Sequence, residues 1–336
     1  MKRKFLFAAA VVLALVAAGC GDDGGSSSSS SGGGAGKPKL AVIYSGPFKD
    51  GSWAEQGQKA AEKLKADGAV SEIKLQDGVK EGADAQRVLE SLAKDGWNPI
   101  IAHSFNYGDD VKAVAKKYPN TLFLYAGGFG DITGNVGDYS QPFHESAFLE
   151  GILAAGATKD GKTAGAGGFD IPVCKAMSNA FTDGAKLVRP STTGSFLAVG
   201  DWEDVQKAKE ATLGQASGGA TMFIGCGQGP TYGGIETAKA KNGVAFGYVG
   251  DMNARADAVV ASMLWQLDKP WKMAVEDAAA KKTTARYYDA GTKDGALEIV
   301  ISPKWKDKIP ADVMKIYDAK LADIKSGKLT VPFNDK

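Results

Sequence analysis

The sequence predicts an α/β fold made of two doubly wound, mainly parallel β-sheet domains. From residue 39 onward, short apolar runs alternate with amphipathic stretches of about ten to fifteen residues, a pattern typical of βαβ units. The alternation reaches a long helical segment near residue 143 and then starts again. The chain of 336 residues also exceeds the size that a single hydrophobic core usually supports.

The first half of the pattern predicts four strands and three helices. The strands are residues 40–45, 71–76, 99–104 and 121–126, and the helices are residues 52–68, 83–96 and 109–119. Each predicted helix ends on glycine or proline, the residues that commonly stop a helix.

The second half repeats the pattern after a helix at residues 143–155. The expected strands are residues 163–169, 194–200, 221–225 and 244–249, and the expected helices are residues 174–188, 203–216 and a segment through 237–241. Open α/β sheets bind ligands beyond the carboxyl ends of their strands. We therefore expect a cleft between the domains, lined by the loops that follow the strands.

The octapeptide GATKDGKT, residues 156–163, matches the phosphate-loop pattern G-x-x-x-x-G-K-[ST]. A phosphate loop must leave a strand and open a helix, so that backbone N–H groups converge on the phosphate. Here a helical pattern precedes the octapeptide and a strand pattern follows it. The sequence therefore predicts a polar helix-to-strand turn without a nucleotide role.

The first residues predict export. A basic start is followed by the apolar run 5–18 and by Gly19 and Cys20, which is typical of a secretory signal at residues 1–19. The serine- and glycine-rich segment after Cys20 predicts a flexible linker over residues 20–37. Cys20 at the cleavage point resembles the lipidated cysteine of bacterial lipoproteins, so we expect an extracytoplasmic protein held to the membrane by a lipid on Cys20.

Charge and motif content narrow the function classes. Without the three basic residues of the signal, 37 basic residues face 39 acidic ones, which gives no electrostatic footprint for nucleic acid. The two histidines, His103 and His144, belong to no metal-binding or hydrolase motif. We therefore expect no catalytic residues, no metal and no cofactor.

Five stretches resemble the basic membrane protein family, the purine-nucleoside-receptor-like substrate-binding lipoproteins of ABC transporters. They are residues 46–64, 145–172, 200–210, 225–234 and 293–300. The resemblance covers the whole chain after the linker. It implies a type I periplasmic-binding-protein architecture, a monomer, a purine-type ligand, and a permease with its ATPase as partners.

The resemblance also implies a set of ligand-binding residues. Asp50 and Trp53 match the first strand-to-helix loop of the family, and Trp202 matches a ligand-stacking aromatic position. The other candidates lie in the loops after later strands: Phe105, Asp170, Gly227 and Asp251. Val249 stands where nucleoside-binding members carry an acid, and residues 259–266 lack the lysine of the family's next helix. A free purine base is therefore as well supported as a nucleoside.

The domain boundaries follow from the same resemblance. We expect the N-terminal domain to comprise residues 38–142 and about 252–282, and the C-terminal domain to comprise residues 143–251 and about 283–336. Three other functions stay open. They are a sugar receptor of the same architecture, a ligand-sensing ectodomain, and an exported hydrolase that uses loop aspartates as acid and base.

Cys174 and Cys226 remain once Cys20 is assigned to the anchor. In a sheet of strand order 2-1-3, the segment after the first strand and the end of the third strand are neighbours. We therefore predict a disulfide between the two cysteines, with a pair of buried thiols as the alternative.

Overall fold

The computed structural model describes residues 36–336, so the signal sequence, Cys20 and most of the linker lie outside the described residues. The first part of the described chain contains, in order, β1 (Lys39–Ile43), α1 (Trp53–Ala66), β2 (Glu72–Gln76), α2 (Ala83–Lys94), β3 (Ile100–Ala102), α3 (Gly108–Ala115), β4 (Phe123–Tyr125), β5 (Val136–Tyr139) and α4 (Phe143–Ala157).

The second part begins with β6 (Lys162–Gly167), α5 (Pro172–Val188), β7 (Gly194–Ala198), α6 (Val205–Ser217), β8 (Ala220–Cys226), α7 (Gln228–Lys241) and β9 (Val244–Gly247). It ends with β10 (Val259–Trp265), α8 (Asp268–Ala279), β11 (Tyr287–Tyr288), β12 (Leu297–Ile301) and α9 (Ala311–Lys325).

The strands form two six-stranded sheets. The first sheet has the order β11-β5-β4-β3-β1-β2 and the second the order β12-β10-β9-β8-β6-β7. Neighbouring strands are parallel in both sheets, apart from the antiparallel pair of β10 and β12. The predicted α/β class with two doubly wound sheets is confirmed, including the 2-1-3 order of β7, β6 and β8.

The octapeptide of residues 156–163 connects the end of α4 to the start of β6. This order of helix, turn and strand confirms the sequence prediction. No helix N-terminus follows the turn, so its backbone N–H groups lack the arrangement that cradles a phosphate.

Two strands differ from their expectation. Strand β5, which pairs with β4 and β11, was not predicted from the sequence pattern. Of residues 259–266, expected from the resemblance to lie in a helix, Val259–Trp265 form strand β10 between β9 and β12. The strand begins with two valines and is buried along nearly its whole length. β-Branched residues in a short, continuously apolar run favour a central strand, and tertiary burial decides between the two structures.

The chain passes between the sheets more than once. It leaves the first sheet after β5, returns to it after β10, and leaves it again after β11. Strand β10 belongs to the second sheet, whereas α8 packs against α1 and contacts β11 of the first. The division into two domains stays our proposal. The sheets place residues 259–265 with the second sheet and Tyr287–Tyr288 with the first, whereas the expected segments 252–282 and 283–336 assigned them the other way round.

Two glycines allow α4 and α5 to pack closely. A Cβ on Gly184 would lie 1.8 Å from the carbonyl oxygen of Phe148, and a Cβ on Gly151 would lie 2.0 Å from that of Phe181. Any side chain at these positions would overlap the backbone of the opposite helix. This close contact packs α4 directly against α5, the helix that follows the first strand of the second sheet.

Candidate ligand-binding site

A cavity lies between the carboxyl ends of the two sheets. We call the first sheet with its loops and helices the first layer, and the second sheet with its loops and helices the second layer. Each layer contributes six lining residues. They are Tyr44, Trp53, Ser104, Phe105, Ala126 and Gln141 from the first layer, and Ile171, Trp202, Cys226, Gly227, Gln228 and Tyr248 from the second. The position agrees with the rule that open α/β sheets bind ligands at this edge.

Trp53, the first residue of α1, forms one wall of the cavity. Its indole N–H donates a hydrogen bond to the carbonyl oxygen of His103 at 2.9 Å. The Trp53 ring lies nearly parallel to the ring of Tyr248 from the second layer, with an interplanar angle of 11° and centroids 6.3 Å apart. Aromatic faces from both layers therefore meet at this wall.

Trp202 lines the cavity from the second layer and packs against Phe169, with ring centroids 5.1 Å apart. The Trp202 indole occupies space that side chains at two glycine positions would otherwise fill. A Cβ on Gly168 would lie 2.1 Å from the Trp202 ring, and a Cβ on Gly227 would lie 2.8 Å from it. Gly227 has a φ of +111°, which other residues rarely adopt. Gly227 thus both lines the cavity and seats Trp202.

Phe105 lies in a short helical turn directly after β3. The backbone N–H of Asn106 donates to the Ser104 hydroxyl oxygen at 3.3 Å, which caps this turn. Phe105 and Ser104 both line the cavity. The four predicted residues Trp53, Phe105, Trp202 and Gly227 are therefore brought together in one site.

Asp50 does not line the cavity, and its carboxylate caps α1 instead. It accepts hydrogen bonds from the backbone N–H groups of Ser52, Ala54 and Glu55 at 2.8–3.0 Å. Burial raises the pKa of Asp50, and these hydrogen bonds oppose the rise. The backbone carbonyl of Asp50 accepts from the side-chain amide of Gln228 at 2.8 Å, which joins the two layers beside the cavity.

The other two candidate acids lie away from the lining. Asp170 is exposed and pairs with Lys175 at 2.9 Å. Asp251 is exposed and accepts from the backbone N–H of Asn253 at 2.9 Å. All three aspartates thus satisfy local groups of their own loops, which is an ordinary use of acids near helix starts and turns.

Sequence reasoning missed Tyr44, Gln141 and Tyr248. Each of them follows a strand of its sheet within two residues, and this position was the signal available in the sequence. Burial raises the pKa of Tyr44, and the negative charges of Asp50 and Glu203 raise it further, so its phenol stays neutral. The amide nitrogen of Gln141 and the indole nitrogen of Trp202 are buried without a hydrogen-bond partner among the described residues.

None of the twelve lining side chains, all of them within the described part of the chain, carries a formal charge. Residues 36–336 also contain no group of three His, Cys, Asp or Glu side chains placed to hold a metal ion. No helix among them has the length and apolar character needed to span a membrane. The lining therefore carries no charge and contains five aromatic residues among its twelve, which suits an uncharged, flat ligand.

Cys174 and Cys226 are joined in the structure, with their sulfur atoms 2.07 Å apart. The bond links the first turn of α5 to the end of β8, and Cys226 itself lines the cavity. This is the pairing that the sequence predicts. It connects the loop that contains Ile171 to the loop that contains Gly227 and Gln228.

Comparison with known proteins agrees with this architecture. The family model of PnrA-like ABC transporter substrate-binding proteins matches residues 37–335. A purine-binding protein of Brucella abortus is 30% identical over 304 residues, which cover 88% of this chain and 83% of that protein. A nucleoside-binding protein of an ABC transporter from Lactococcus lactis is 26% identical over 190 residues, covering 55% of this chain and 54% of that protein.

A solved structure shows the same fold. A solute-binding protein of an ABC transporter system from Aeropyrum pernix K1 aligns with a TM-score of 0.72 at 17% identity, over 88% of this chain and 94% of that one. At this identity the likeness concerns the fold alone.

Proposed function

The chain belongs to the PnrA-like family of ABC transporter substrate-binding proteins, and we propose that its ligand is a purine base or a purine nucleoside. Family membership makes it a substrate-binding receptor rather than an enzyme, and it implies a location outside the cytoplasm. A permease and an ATPase are the partners of such a receptor.

The observation that carries the proposal is the neutral aromatic lining of the cavity. Trp53 and Trp202 come from different layers, and Tyr44, Phe105 and Tyr248 add further aromatic surface. A purine ring is flat and uncharged, and stacking on an aromatic side chain contributes about 1–3 kcal/mol per ring in proteins that bind single-stranded nucleic acids.

Polar groups at the cavity would orient such a ring. The Gln141 amide nitrogen and the Trp202 indole nitrogen have no partner within residues 36–336, and a buried donor without a partner costs free energy. Acceptors on a purine, its ring nitrogens or an exocyclic oxygen, would satisfy these donors. The Brucella relative named as purine-binding supports the same ligand class.

The lining favours a free base at least as much as a nucleoside. A ribose or a free sugar carries several hydroxyl groups, each of which needs polar partners when it is buried. Val249 replaces an acid at the position discussed above, and no charged side chain of the described part of the chain lines the cavity. The same argument ranks a sugar receptor below a purine receptor.

We further propose that the mature chain is a monomer anchored by a lipid on Cys20. The motif at residues 18–20 and the serine- and glycine-rich linker after it support this proposal. Serine- and glycine-rich linkers generally behave as flexible chains, which suits a receptor that must reach a permease while it stays near the membrane.

Calorimetry with adenine, hypoxanthine, guanine, their nucleosides and a panel of sugars tests the ligand class. We expect heat with at least one purine. Trp53→Ala and Trp202→Ala should each weaken that binding by about tenfold to a hundredfold, since each removes one stacking face. Trp305→Ala is the matched control, because Trp305 lies outside the lining. Heat with sugars alone, or unchanged affinity in both cavity variants, would contradict the proposal.

A further inference from the structure

His103 is fully buried at the end of β3 and is not among the residues that line the cavity. Every polar atom of its ring has a partner. Nδ1 lies 2.7 Å from the hydroxyl oxygen of Tyr139, and Nε2 lies 3.1 Å from the backbone carbonyl oxygen of Trp53. A carbonyl only accepts hydrogen bonds, so Nε2 carries the proton and Nδ1 accepts from the tyrosine.

His103 and Trp53 are joined in both directions. The imidazole N–H donates to the backbone of Trp53, and the indole N–H of Trp53 donates to the backbone carbonyl of His103 at 2.9 Å. The two rings also stack, with an interplanar angle of 13° and centroids 4.7 Å apart. Two hydrogen bonds and one stacked face therefore restrain both the helix turn that carries Trp53 and its ring plane.

The surroundings leave the imidazole little freedom. Trp271 packs edge-on against it, with ring centroids 5.2 Å apart. A Cβ on Gly57 would lie 2.6 Å from Cδ2 of the imidazole, so the glycine one turn into α1 is what allows His103 to reach the carbonyl of Trp53. The contact between His103 and Trp53 thus depends on Gly57, which is not among the residues that line the cavity.

We propose that His103 is a positioning residue that holds the Trp53 indole in the orientation that binds the ligand. The inference rests on the proposed function, in which one face of Trp53 stacks on a purine. His103 stacks on the indole and restrains its tilt in the ligand-free protein. Such preorganisation increases affinity because the side chain loses less conformational freedom on binding.

Burial supports this role, since it lowers the pKa of His103 to about 3. The imidazole therefore stays neutral at ordinary pH and keeps one N–H donor and one acceptor. A single neutral tautomer matches its two partners, the Trp53 carbonyl and the Tyr139 hydroxyl.

The first experiment observes Trp53 without any ligand. Protein labelled with 5-fluorotryptophan is compared by ¹⁹F NMR with its His103→Phe variant, which keeps a flat ring and removes the hydrogen bond to Trp53. The Trp53 resonance is assigned by its absence in Trp53→Phe. We expect it to shift or broaden, while the resonances of Trp97 and Trp305 stay in place. An unmoved Trp53 resonance in a folded variant would overturn the proposal.

Two further variants separate positioning from general destabilisation. His103→Gln keeps an amide donor for the Trp53 carbonyl, so we expect a smaller shift than in His103→Phe. Gly57→Ala leaves His103 in place in the sequence but pushes its ring away, so we expect the same Trp53 shift. If neither variant moves the Trp53 resonance, His103 only fills the core.

The second experiment is a double-mutant cycle on affinity, with hypoxanthine and adenosine as probes. We expect His103→Phe to weaken binding by about tenfold, and to have less than about a twofold effect when Trp53→Ala is already present. Additive losses would show that His103 acts independently of Trp53 and would overturn the proposal. If neither probe binds the unmodified protein, the proposed ligand class fails, and the ligand-free NMR result still decides the role of His103.

Discussion

Two aspartates near the cavity use their carboxylates on backbone N–H groups. Asp50 would suit a ligand acceptor, yet its carboxylate is occupied by three backbone N–H groups of α1. Asp138 is likewise occupied, because it accepts from the backbone N–H groups of Gly128 and Gly130 and so orders the loop beside Ala126. The cavity is left with aromatic and amide groups as a result.

Glu150 is a buried acid that no partner compensates within residues 36–336. It is fully buried in α4, and both of its carboxylate oxygens lack hydrogen-bond partners among the described residues. Burial raises its pKa well above the ordinary value of 4.5, so the folded protein holds it protonated. The unfolded chain releases that proton above pH 4.5, and the free energy of unfolding therefore falls as pH rises from there toward the folded-state pKa.

Glu150→Gln should remove this pH dependence, since glutamine stays neutral in both states. We expect the variant to gain stability over the unmodified protein between pH 5 and pH 8, with a limiting slope of about 1.4 kcal/mol per pH unit for one proton. Thermal unfolding at both pH values measures it, with the exposed Glu236→Gln as control. A difference in Tm that is the same at pH 5 and pH 8 would show that Glu150 does not titrate between folded and unfolded states.

At the scale of elements, the second sheet's layer depends on the contact between α4 and α5. The glycines at this crossing allow the two helix backbones to approach within van der Waals distance. The disulfide between Cys174 and Cys226 then connects the start of α5 to β8. The loops that carry Ile171 and Gly227 are in this way attached to a rigid helix pair.

Gly184→Ala should destabilise the protein although alanine is the better helix former. The added Cβ would lie 1.8 Å from the Phe148 carbonyl oxygen, and relieving that overlap should cost about 1–3 kcal/mol or more. Gly214→Ala in α6 is the matched control. A Cβ there meets nothing within 4 Å, so we expect a gain of about 0.5–1 kcal/mol. Denaturant unfolding compares the two, and equal effects of both substitutions would contradict the close packing of α4 on α5.

At the scale of the whole molecule, the cavity is shared equally between the two layers. Gln228 of the second layer donates to the backbone of Asp50 in the first, and the rings of Trp53 and Tyr248 face each other across the boundary. Family membership adds that this receptor delivers its ligand to a membrane transporter. Attachment near the membrane would then raise its local concentration at the permease.

Replacing Cys20 by serine tests that attachment. We expect the unmodified protein in the membrane fraction, and the variant either released or retained as an uncleaved precursor of higher mass, because one lipidated residue with two or more chains gives stable anchoring. Fractionation followed by mass spectrometry of the N-terminus measures it. Cys174→Ser is the matched control and should stay in the membrane fraction. A variant at Cys20 that stays membrane-bound with a processed N-terminus would contradict the anchor.

The sequence by itself determined the features that depend on local patterns. The alternation of apolar and amphipathic segments predicts the strands and helices up to residue 249 except β5, and the turn at residues 156–163 follows from the order of its neighbours. Aromatic residues in loops after strands indicated Trp53 and Trp202, and the strand order placed Cys174 beside Cys226. These properties follow from periodicity and chain order, which a single sequence contains.

Only the tertiary structure decided which side chains meet. Residues 259–265 form a strand because β9 and β12 pair with them on both edges within the sheet. A local sequence pattern does not contain that information. The carboxylate of Asp50 caps α1 and does not line the cavity. Tyr44, Gln141 and Tyr248 line the cavity from the ends of three different strands. His103 met Trp53 across fifty residues of sequence because Gly57 leaves room for its ring. Such pairings depend on packing between distant segments, and packing is settled only when the whole chain has folded.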